Sequence, residues 1–287
     1  MDTQILYTII ALSSVGAIAA TILFIVARKF HVVEDPRIDD TSDMLPGANC
    51  GGCGYPGCRA FAEVMVKSED ISSLYCPVGG NDMMSSIADM LGKTAASKKP
   101  MVAVVKCNGT CEARPKTKHF DGVANCTVAS NLFGGDTDCS WGCLGLGECV
   151  QACDFDAMYM DVNGLPVVIT DNCTACNACV EVCPKDIMEL RPKNKKDLKI
   201  YVACVSKDKG AVAIKACKNA CIGCGKCVKV CPHGAITMEN NLAYIDADKC
   251  KLCRKCVIVC PTHAIIETNF PPRKTEESDD STAKDVS

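Results

Sequence analysis

Three stretches of the sequence repeat one cysteine spacing, C-x2-C-x2-C-x3-C followed by proline. They read CTACNACVEVCP at 173–184, CIGCGKCVKVCP at 221–232 and CKLCRKCVIVCP at 250–261. In proteins that carry two iron–sulfur clusters, the first three thiolates of such a run hold one cluster and the fourth holds the other. Zinc rarely needs three cysteines at two-residue intervals before a fourth cysteine and a proline. The spacing therefore predicts [4Fe–4S] clusters, whose chemistry is the transfer of single electrons.

The crossover of the fourth cysteine determines which runs share their clusters. The two later runs start 29 residues apart and are predicted to form one two-cluster module. The sequence AITMENNLAYID between them favours a hairpin that turns at Asn240–Asn241. The predicted ligand sets are Cys221, Cys224, Cys227 with Cys260, and Cys250, Cys253, Cys256 with Cys231.

The run at 173–184 has a partner thirty residues upstream, in the stretch CSWGCLGLGECVQAC that begins at Cys139. Every cysteine of the later run but one has a counterpart there, and Leu146 stands where the middle cysteine would be. Cys139, four residues before Cys143, is the predicted source of the missing thiolate. An Asn163–Gly164 pair predicts a matching hairpin. The predicted ligand sets are Cys139, Cys143, Cys149 with Cys183, and Cys173, Cys176, Cys179 with Cys153.

A separate cysteine group lies nearer the N-terminus, in LPGANCGGCGYPGCRAFAEVMVKSEDISSLYC at 45–76. Its spacing is C-x2-C-x4-C-x17-C, and its five glycines let the backbone fold tightly and turn amides toward sulfur. A four-thiolate zinc site is the alternative for such a set. The glycine-dense loop and the long gap resemble the small Fe4S domain of corrinoid proteins and of Rnf complex B subunits, and this resemblance implies a cluster. The predicted ligands are Cys50, Cys53, Cys58 and Cys76.

Five cysteines fall outside these runs: Cys107, Cys111, Cys126, Cys204 and Cys217. Cys217 lies four residues before Cys221, as Cys139 lies four residues before Cys143. Four of the five could hold a further cluster, or all of them could be buried or unpaired thiols in a segment that covers the modules. The sequence therefore predicts five [4Fe–4S] clusters and leaves a sixth open.

An uncharged stretch opens the chain, QILYTIIALSSVGAIAATILFIVA at 4–27. As a helix it would extend about 36 Å, enough to cross a hydrocarbon core of about 30 Å. A cleaved signal peptide is the alternative, but no basic segment precedes the apolar run. Arg28 and Lys29 follow it, so the positive-inside rule predicts a single pass of the plasma (inner) membrane with the bulk of the chain on the cytoplasmic side. The reducing cytoplasm also keeps thiols free for clusters.

The fold class predicted from these parts is α+β, with a single N-terminal transmembrane helix, a small Fe4S domain and tandem two-cluster bacterial ferredoxin-like modules. The predicted divisions are an anchor at 1–29, the Fe4S domain at 30–92, a cysteine-containing linker at 93–138, the first ferredoxin-like module at 139–190, a connecting segment at 191–217, the second module at 218–269 and a disordered tail at 270–287.

The chain lacks the motifs that mark a substrate site. It has no P-loop, no G-x-G-x-x-G fingerprint and no recognisable Ser/His/Asp set, so no catalytic residue is predicted. A net charge of −3 without interleaved basic and aromatic residues argues against nucleic-acid binding. Basic stretches at 93–118 and 191–199 are either solvated loops or surfaces that attract an acidic electron donor. Clusters on a membrane tether indicate an electron relay.

The order of the anchor, the NCGGCGYPGC domain and the GCLGLGECVQAC…CTACNACVEVCP module resembles the B subunit of the Rnf ion-translocating electron transport complex over nearly the whole chain. The resemblance implies a subunit of a ferredoxin:NAD+ oxidoreductase, a translocase, without a complete substrate site of its own. Such a subunit accepts electrons from soluble reduced ferredoxin and passes them to membrane and flavin subunits that reduce NAD+ and move Na+ or H+. Two alternatives stay open: an iron–sulfur redox activator or corrinoid-linked component, and a cluster-bearing redox sensor or scaffold.

Overall fold

The structure is a computed structural model that describes residues 2–29, 35–95 and 97–273. Most of the predicted disordered tail, residues 274–287, lies outside the described residues. Helices make up the N-terminal third of the described chain, and short strands and helical turns make up the rest. The described strands form four separate two-stranded antiparallel sheets, so the molecule is built from small units and not around one large core.

The chain begins with one long helix, α1 (Asp2–Lys29). Its 28 residues extend about 42 Å, which exceeds a hydrocarbon core of about 30 Å. The segment Ile9–Lys29 is long and apolar enough to cross a membrane, and none of its window is buried against the rest of the described chain. Arg28 and Lys29 form the last turn of the helix. α1 is therefore a candidate membrane span.

Three helices after α1 form a small domain: α2 (Pro36–Met44), α3 (Cys58–Lys67) and α4 (Gly80–Leu91). α2 begins where the Asp35 carboxylate accepts the backbone N–H of Arg37 at 3.0 Å, and proline at the first helical position has the required φ. Each large side chain buried in the core contributes about 1.5–3 kcal/mol. The largest of these are Phe61, Met65, Ile71, Met84 and Ile87.

Hydrogen bonds and a glycine residue end two of the helices of this small domain. The Lys93 ammonium donates to the carbonyls of Met65, Val66 and Ser68 at 2.7, 2.9 and 2.7 Å, at the C-terminal end of α3. A cation there also meets the negative end of the helix dipole. α4 ends at Gly92, whose left-handed φ of 66° is open to glycine without steric cost.

The rest of the described chain, residues 97–273, contains two groups of similar elements, which we call the first and the second module. Their helices are α5 (Cys126–Leu132), α6 (Glu148–Gln151), α7 (Ala178–Glu181), α8 (Gly210–Ala216), α9 (Lys226–Val230) and α10 (Lys255–Ile258). Their strands are β1 (Met101–Val105), β2 (Met158–Met160), β3 (Pro166–Val168), β4 (Met188–Pro192), β5 (Lys199–Val202), β6 (Ile236–Glu239), β7 (Leu242–Ile245) and β8 (Ile265–Thr268).

The strand pairs repeat from one module to the other. In the first module β2 pairs with β3 as a hairpin and β1 pairs with β4. In the second module β6 pairs with β7 as a hairpin and β5 pairs with β8. Both predicted hairpins are confirmed, and Asn240 and Asn241 have the positive φ values, 47° and 63°, that a type I′ turn requires.

Two strands that pair within the modules, β1 and β5, lie before the residues at which the cysteine spacing predicts that the modules begin. β1 lies inside the stretch 93–138 that the sequence predicts as a linker, and β5 lies inside the predicted connecting segment 191–217. Each module therefore starts with a strand that precedes its first cysteine run and closes on the strand that follows its last.

Arg191 joins the two modules. It lies on β4 with 3% of its surface exposed, and its guanidinium donates to the Ile245 carbonyl of the second module at 3.0 Å. The same group pairs with Glu189 at 3.2 Å and stacks over the rings of Tyr201 and Tyr244, 5.6 and 5.3 Å from their centroids. A planar guanidinium can make all these contacts at once.

We expect Arg191→Met to loosen the junction between the modules. The change leaves the Ile245 carbonyl without its buried donor, which costs about 1–3 kcal/mol. Amide hydrogen exchange in β4 and β7 should then accelerate by roughly ten-fold, since local opening becomes easier. Arg273→Met, which removes an ion pair at the surface, is the matched control and should leave exchange in these strands unchanged. Wild-type exchange in the Arg191 variant would contradict a joining role.

Candidate iron–sulfur centres

The four cysteine runs of the modules fold on the same backbone. In each, two residues separated by one position adopt the left-handed conformation, with φ between 56° and 80°, and a short helix follows. Left-handed residues of this kind turn backbone N–H groups into an anion-binding concavity. The pairs are Gly145 and Gly147, Ala175 and Asn177, Gly223 and Gly225, and Leu252 and Arg254. The incomplete run around Leu146 therefore keeps the loop of a cluster site.

Two cavities in the second module are each lined by four cysteines. One contains Cys221, Cys224, Cys227 and Cys260, and the other contains Cys231, Cys250, Cys253 and Cys256. The structure thus brings together the two sets that the crossover rule predicted. Apolar side chains complete the lining, including Met238 and Ile265 in the first cavity and Ile236 and Ile245 in the second.

The structure differs from the prediction at the incomplete run of the first module. The cysteines that line its cavity are Cys126, Cys143, Cys149 and Cys183. Cys139 is not among the lining residues. The Cys126 thiol accepts hydrogen bonds from the backbone N–H groups of Glu148 and Leu146, so it lies where the missing cysteine of the run would be.

Helix α5 positions Cys126 at this cavity. Its N-cap residue Asn125 accepts the backbone N–H of Val128 at 2.8 Å. The Glu148 carboxylate, at the start of α6, accepts from the backbone and hydroxyl of Thr127 at 3.1 and 3.2 Å and contacts the Asn125 amide. The sequence analysis named Cys126 only as a candidate for a further cluster, because no short spacing links it to the run. The one signal for its place here was the cysteine absent at Leu146.

The N-terminal domain brings its four predicted cysteines together, and Cys50, Cys53, Cys58 and Cys76 line one cavity. The Asn49 side chain accepts the Cys58 N–H at 2.9 Å, which holds the glycine-rich loop against α3. The Cys76 sulfur accepts the Gly79 N–H at 3.4 Å. Burial raises the pKa of the Cys76 thiol, and the thiols of Cys53 and Cys50 add to the rise.

The last predicted set of the first module surrounds Cys179. Burial and then the nearby thiols of Cys173, Cys176, Cys149 and Cys153 raise the pKa of the Cys179 thiol to about 12. Cys153 and Cys173 also pack against Cys179 in one apolar cluster. The structure therefore also places the predicted set Cys153, Cys173, Cys176 and Cys179 together.

Four further cysteines meet between the modules, and we call them the bridging group: Cys107, Cys139, Cys204 and Cys217. The pKa of the Cys217 thiol is raised by burial and then by its neighbours Cys139 and Cys107. The pKa of the Cys204 thiol is raised to about 12, mainly by burial, and the neighbouring thiols of Cys221 and Cys107 contribute to the rise. A hydrogen bond joins the segments that carry Cys217 and Cys107: the Asn219 amide donates to the Asn108 carbonyl at 2.8 Å.

The bridging group takes equivalent positions from each module. Cys107 lies two residues after the end of β1, and Cys204 lies two residues after the end of β5. Cys139 and Cys217 each lie four residues before the first cysteine of a run. The remaining cysteine, Cys111, is exposed, and its thiol donates to the Asn163 carbonyl at 3.2 Å.

The six cysteine sets form a continuous series. We number the sets so that each one is a spatial neighbour of the next. The N-terminal domain holds set 1 (Cys50, Cys53, Cys58, Cys76), and the first module holds set 2 (Cys153, Cys173, Cys176, Cys179) and set 3 (Cys126, Cys143, Cys149, Cys183). Set 4 is the bridging group, and the second module holds set 5 (Cys221, Cys224, Cys227, Cys260) and set 6 (Cys231, Cys250, Cys253, Cys256). Thiols of successive sets lie near one another in the pairs Cys50 and Cys176, Cys149 and Cys179, Cys107 and Cys143, Cys204 and Cys221, and Cys227 and Cys256.

The donor sets fit an iron–sulfur cluster. Four thiols line each of the cavities of sets 1, 3, 5 and 6, as a [4Fe–4S] cluster requires. Among the described residues, no three His, Cys, Asp or Glu side chains converge on one ion. Burial also raises the pKa of Cys143 and Cys256 to about 12 and that of Cys149 and Cys227 to about 11. Iron must therefore displace protons from these thiols when it binds.

Sets 1 and 2 meet where two loops touch. An added Cβ at Gly52 would lie 2.7 Å from the Cys176 carbonyl oxygen and 3.0 Å from its Cα, so only glycine permits this approach. The contact sets the separation between the Fe4S domain and the first module.

Comparison with known proteins places these features in a family. A family model for an Fe-S cluster matches residues 45–77, and two models described as "4Fe-4S dicluster domain" match residues 140–190 and 220–264. The chain is 45% identical over 251 residues to the B subunit of the Na(+)-translocating ferredoxin:NAD(+) oxidoreductase complex of Acetobacterium woodii, covering 88% of this chain and 74% of that protein.

Two further relatives have similar names. The chain is 40% identical to the B subunit of the proton-translocating ferredoxin:NAD(+) oxidoreductase complex of Clostridium ljungdahlii, over 87% of each protein. It is 39% identical to the B subunit of the ion-translocating oxidoreductase complex of Methanosarcina acetivorans, over 87% of this chain and 93% of that protein.

Double substitutions distinguish Cys126 from Cys139 as the partner of Cys143. A single Cys126→Ala or Cys139→Ala change should each remove about four iron atoms per chain. Adding Cys143→Ala to Cys126→Ala should remove no more iron, because both residues belong to set 3. Adding it to Cys139→Ala should remove about four more atoms, because Cys139 belongs to set 4. Cys111→Ala is the control and should keep all its iron; the reverse pattern in the double variants would restore the assignment made from spacing.

Gly52→Ala should push sets 1 and 2 apart. The new methyl group meets backbone atoms that cannot rotate away, and such overpacking costs about 1–3 kcal/mol. We expect weaker magnetic interaction between reduced centres in sets 1 and 2, measured as reduced line broadening in electron paramagnetic resonance. Gly16→Ala in α1 is the control, because an added Cβ there would meet nothing within 4 Å and α1 contains no cysteine. Equal broadening in wild type and Gly52→Ala would show that this contact does not set the distance.

Proposed function

This chain belongs to the family of B subunits of ion-translocating ferredoxin:NAD+ oxidoreductase (Rnf) complexes, and from that premise we propose that it relays single electrons from reduced ferredoxin to the other subunits of such a complex. The observation that carries the proposal is the unbroken series of six cysteine sets, because a relay needs centres that are close neighbours from one end to the other. The matches of three iron–sulfur family models along the chain support it.

Six [4Fe–4S] clusters are proposed, one more than the spacing predicts on its own. They account for 24 of the 25 cysteines, and only Cys111 is left over. The sixth cluster would occupy set 4, for which the two modules supply equivalent ligands. A cluster in the bridging group would lie between sets 3 and 5, and would connect the clusters of the first module with those of the second.

The protein supplies the surroundings of each cluster. A bound cluster contributes the capacity to gain and lose one electron, and its potential depends on hydrogen bonds to sulfur, charge and exposure. Around set 1, the N–H of Gly79 is directed at the Cys76 sulfur, and around set 3 the N–H groups of Leu146 and Glu148 are directed at Cys126. Apolar side chains such as Met160 and Met188 exclude water from the set 3 cavity.

The membrane tether gives the relay a direction. Only residues 30–34 separate Lys29, the last residue of α1, from Asp35, and such a link spans at most about 20 Å. Set 1 is therefore held near the membrane surface, whereas set 6 lies at the other end of the series. We infer a single-pass anchor with its modules on the cytoplasmic side, supported by Arg28 and Lys29 at the end of α1. Electrons would enter far from the membrane and leave through set 1 to membrane and flavin subunits.

The alternatives raised by the sequence are not favoured. A redox activator, a corrinoid-linked component or an isolated redox sensor has no counterpart among the named relatives, which are subunits of ion-translocating oxidoreductase complexes.

The six-cluster relay is tested by iron content and reduction together. The purified full-length chain should contain about 24 iron atoms, and Cys217→Ala should contain about 20 because set 4 is lost. In wild type within its complex, ferredoxin should reduce all centres on the timescale of turnover. In Cys217→Ala, reduction should divide into a fast phase from the sets nearest the donor and a slow phase from the sets beyond the gap.

Titanium(III) citrate is the control reductant, since it reaches exposed centres without a docking site. Full iron in Cys217→Ala would remove the sixth cluster from the proposal. Wild-type centres that titanium(III) citrate reduces and ferredoxin does not would overturn the relay from ferredoxin.

A further inference from the structure

One surface of the second module is open where the equivalent surface of the first is covered. The second cysteine of the run at 173–184 is Cys176, and Gly52 of the Fe4S domain packs on it. Its counterpart in the run at 250–261 is Cys253, which is exposed. Since sets 2 and 6 are equivalent in their modules, the site of domain contact in the first module corresponds to a free face in the second.

This free face is basic. It is formed by KLCRK at 251–255, which we call the basic loop, and the equivalent loop at 174–178 reads TACNA. Lys251 and Lys255 flank Cys253, and both are exposed. Neither lysine has an ion-pair partner among the residues that the structure describes. Two unpaired cations therefore lie beside a thiol that belongs to the outermost set.

The charge difference extends over the whole modules. Residues 139–190 contain eight acidic side chains and one lysine, a net charge of −7. Residues 218–269 contain four acidic and seven basic side chains, a net charge of +3. An acidic protein that approaches the relay is therefore repelled by the first module and attracted by the second, which raises the encounter rate at the second.

The basic loop is held in one conformation by Arg254. Its guanidinium makes a bidentate pair with Glu267 at 2.7 and 2.6 Å and donates to the Pro271 carbonyl at 3.1 Å. It also stacks 4.9 Å from the centre of the Phe270 ring. These contacts hold Arg254 in its left-handed conformation and engage its charge, so Lys251 and Lys255 are the cations left to meet a partner.

Of the two basic stretches named in the sequence analysis, 93–118 and 191–199, the second is largely structural. Arg191 and Lys199 are buried, and they pair with Glu189 and Asp197. The exposed lysines of that stretch, Lys195 and Lys196, remain as a matched pair for comparison.

We propose that the basic loop is the docking face for an acidic one-electron carrier protein, and that electrons enter the chain at set 6. This inference rests on the proposed function, in which the carrier is reduced ferredoxin. The carrier loses one electron and the chain gains it; no bond forms or breaks and no proton moves. The donor's cluster approaches Cys253 as the Fe4S domain approaches Cys176.

Binding of oxidised ferredoxin to the full-length, cluster-loaded chain tests the docking face without turnover. With a two-cluster bacterial ferredoxin at low ionic strength, Lys251→Gln/Lys255→Gln should raise Kd about ten-fold. The difference should shrink when salt shortens the Debye length to about 3 Å, at 1 M. The control Lys195→Gln/Lys196→Gln should keep the wild-type Kd. A zero-length carbodiimide should cross-link ferredoxin carboxylates to Lys251 or Lys255.

The results separate this inference from the proposed function. An unchanged Kd in the loop variant, an equal loss in the control variant, or cross-links that join ferredoxin only to lysines outside the basic loop would overturn the docking face. The proposed function survives those outcomes if ferredoxin still reduces the wild-type chain. If ferredoxin neither binds nor reduces the wild-type chain, both fail.

Discussion

Four thiols must converge on each centre from separate parts of the chain, and the rest of the structure follows from this requirement. In the second module three cysteines of each set come from one run and the fourth from the other, and in set 3 Cys126 takes the place of one run cysteine, so no run completes a centre alone. Burial raises the pKa of many of these thiols, which places neutral thiols close together when no iron is bound. Cluster assembly and completion of the fold are therefore coupled, as metal binding and folding are in other small domains that lack a large core.

The requirement also explains the bridging group. The two modules contain the same strands, turns and short helices, so residues at equivalent positions can face one another across their contact. Cys107 and Cys204 follow equivalent strands, and Cys139 and Cys217 precede equivalent runs. Each module thereby supplies two cysteines to the bridging group, beside the junction that Arg191 secures, and in the proposed relay this junction carries the electron path.

The two copies share a backbone but differ in their surfaces. Glu148 in the first module corresponds to Lys226 in the second, and the loop TACNA corresponds to KLCRK. One copy is covered by the Fe4S domain at Gly52, and the other is exposed at Cys253. The same fold can thus serve an internal contact in one copy and an external contact in the other, because surface charge and neighbours, and not the fold, decide the role.

The sequence by itself determined that the cysteines suit iron–sulfur clusters, where the complete runs lie and where both hairpins turn. It also determined that Cys231 and Cys260 each join the set of the other run. These features are local, since ligand spacing, asparagine and glycine turns and a long apolar stretch act over short distances along the chain. Only the tertiary structure decided that Cys126 takes the place left by Leu146 and that Cys139 turns instead to Cys217. That exchange depends on how the insertion between β1 and the first run folds back on the module, through contacts such as Thr127 with Glu148. Contacts between residues so far apart in the chain leave no spacing that sequence reasoning could read.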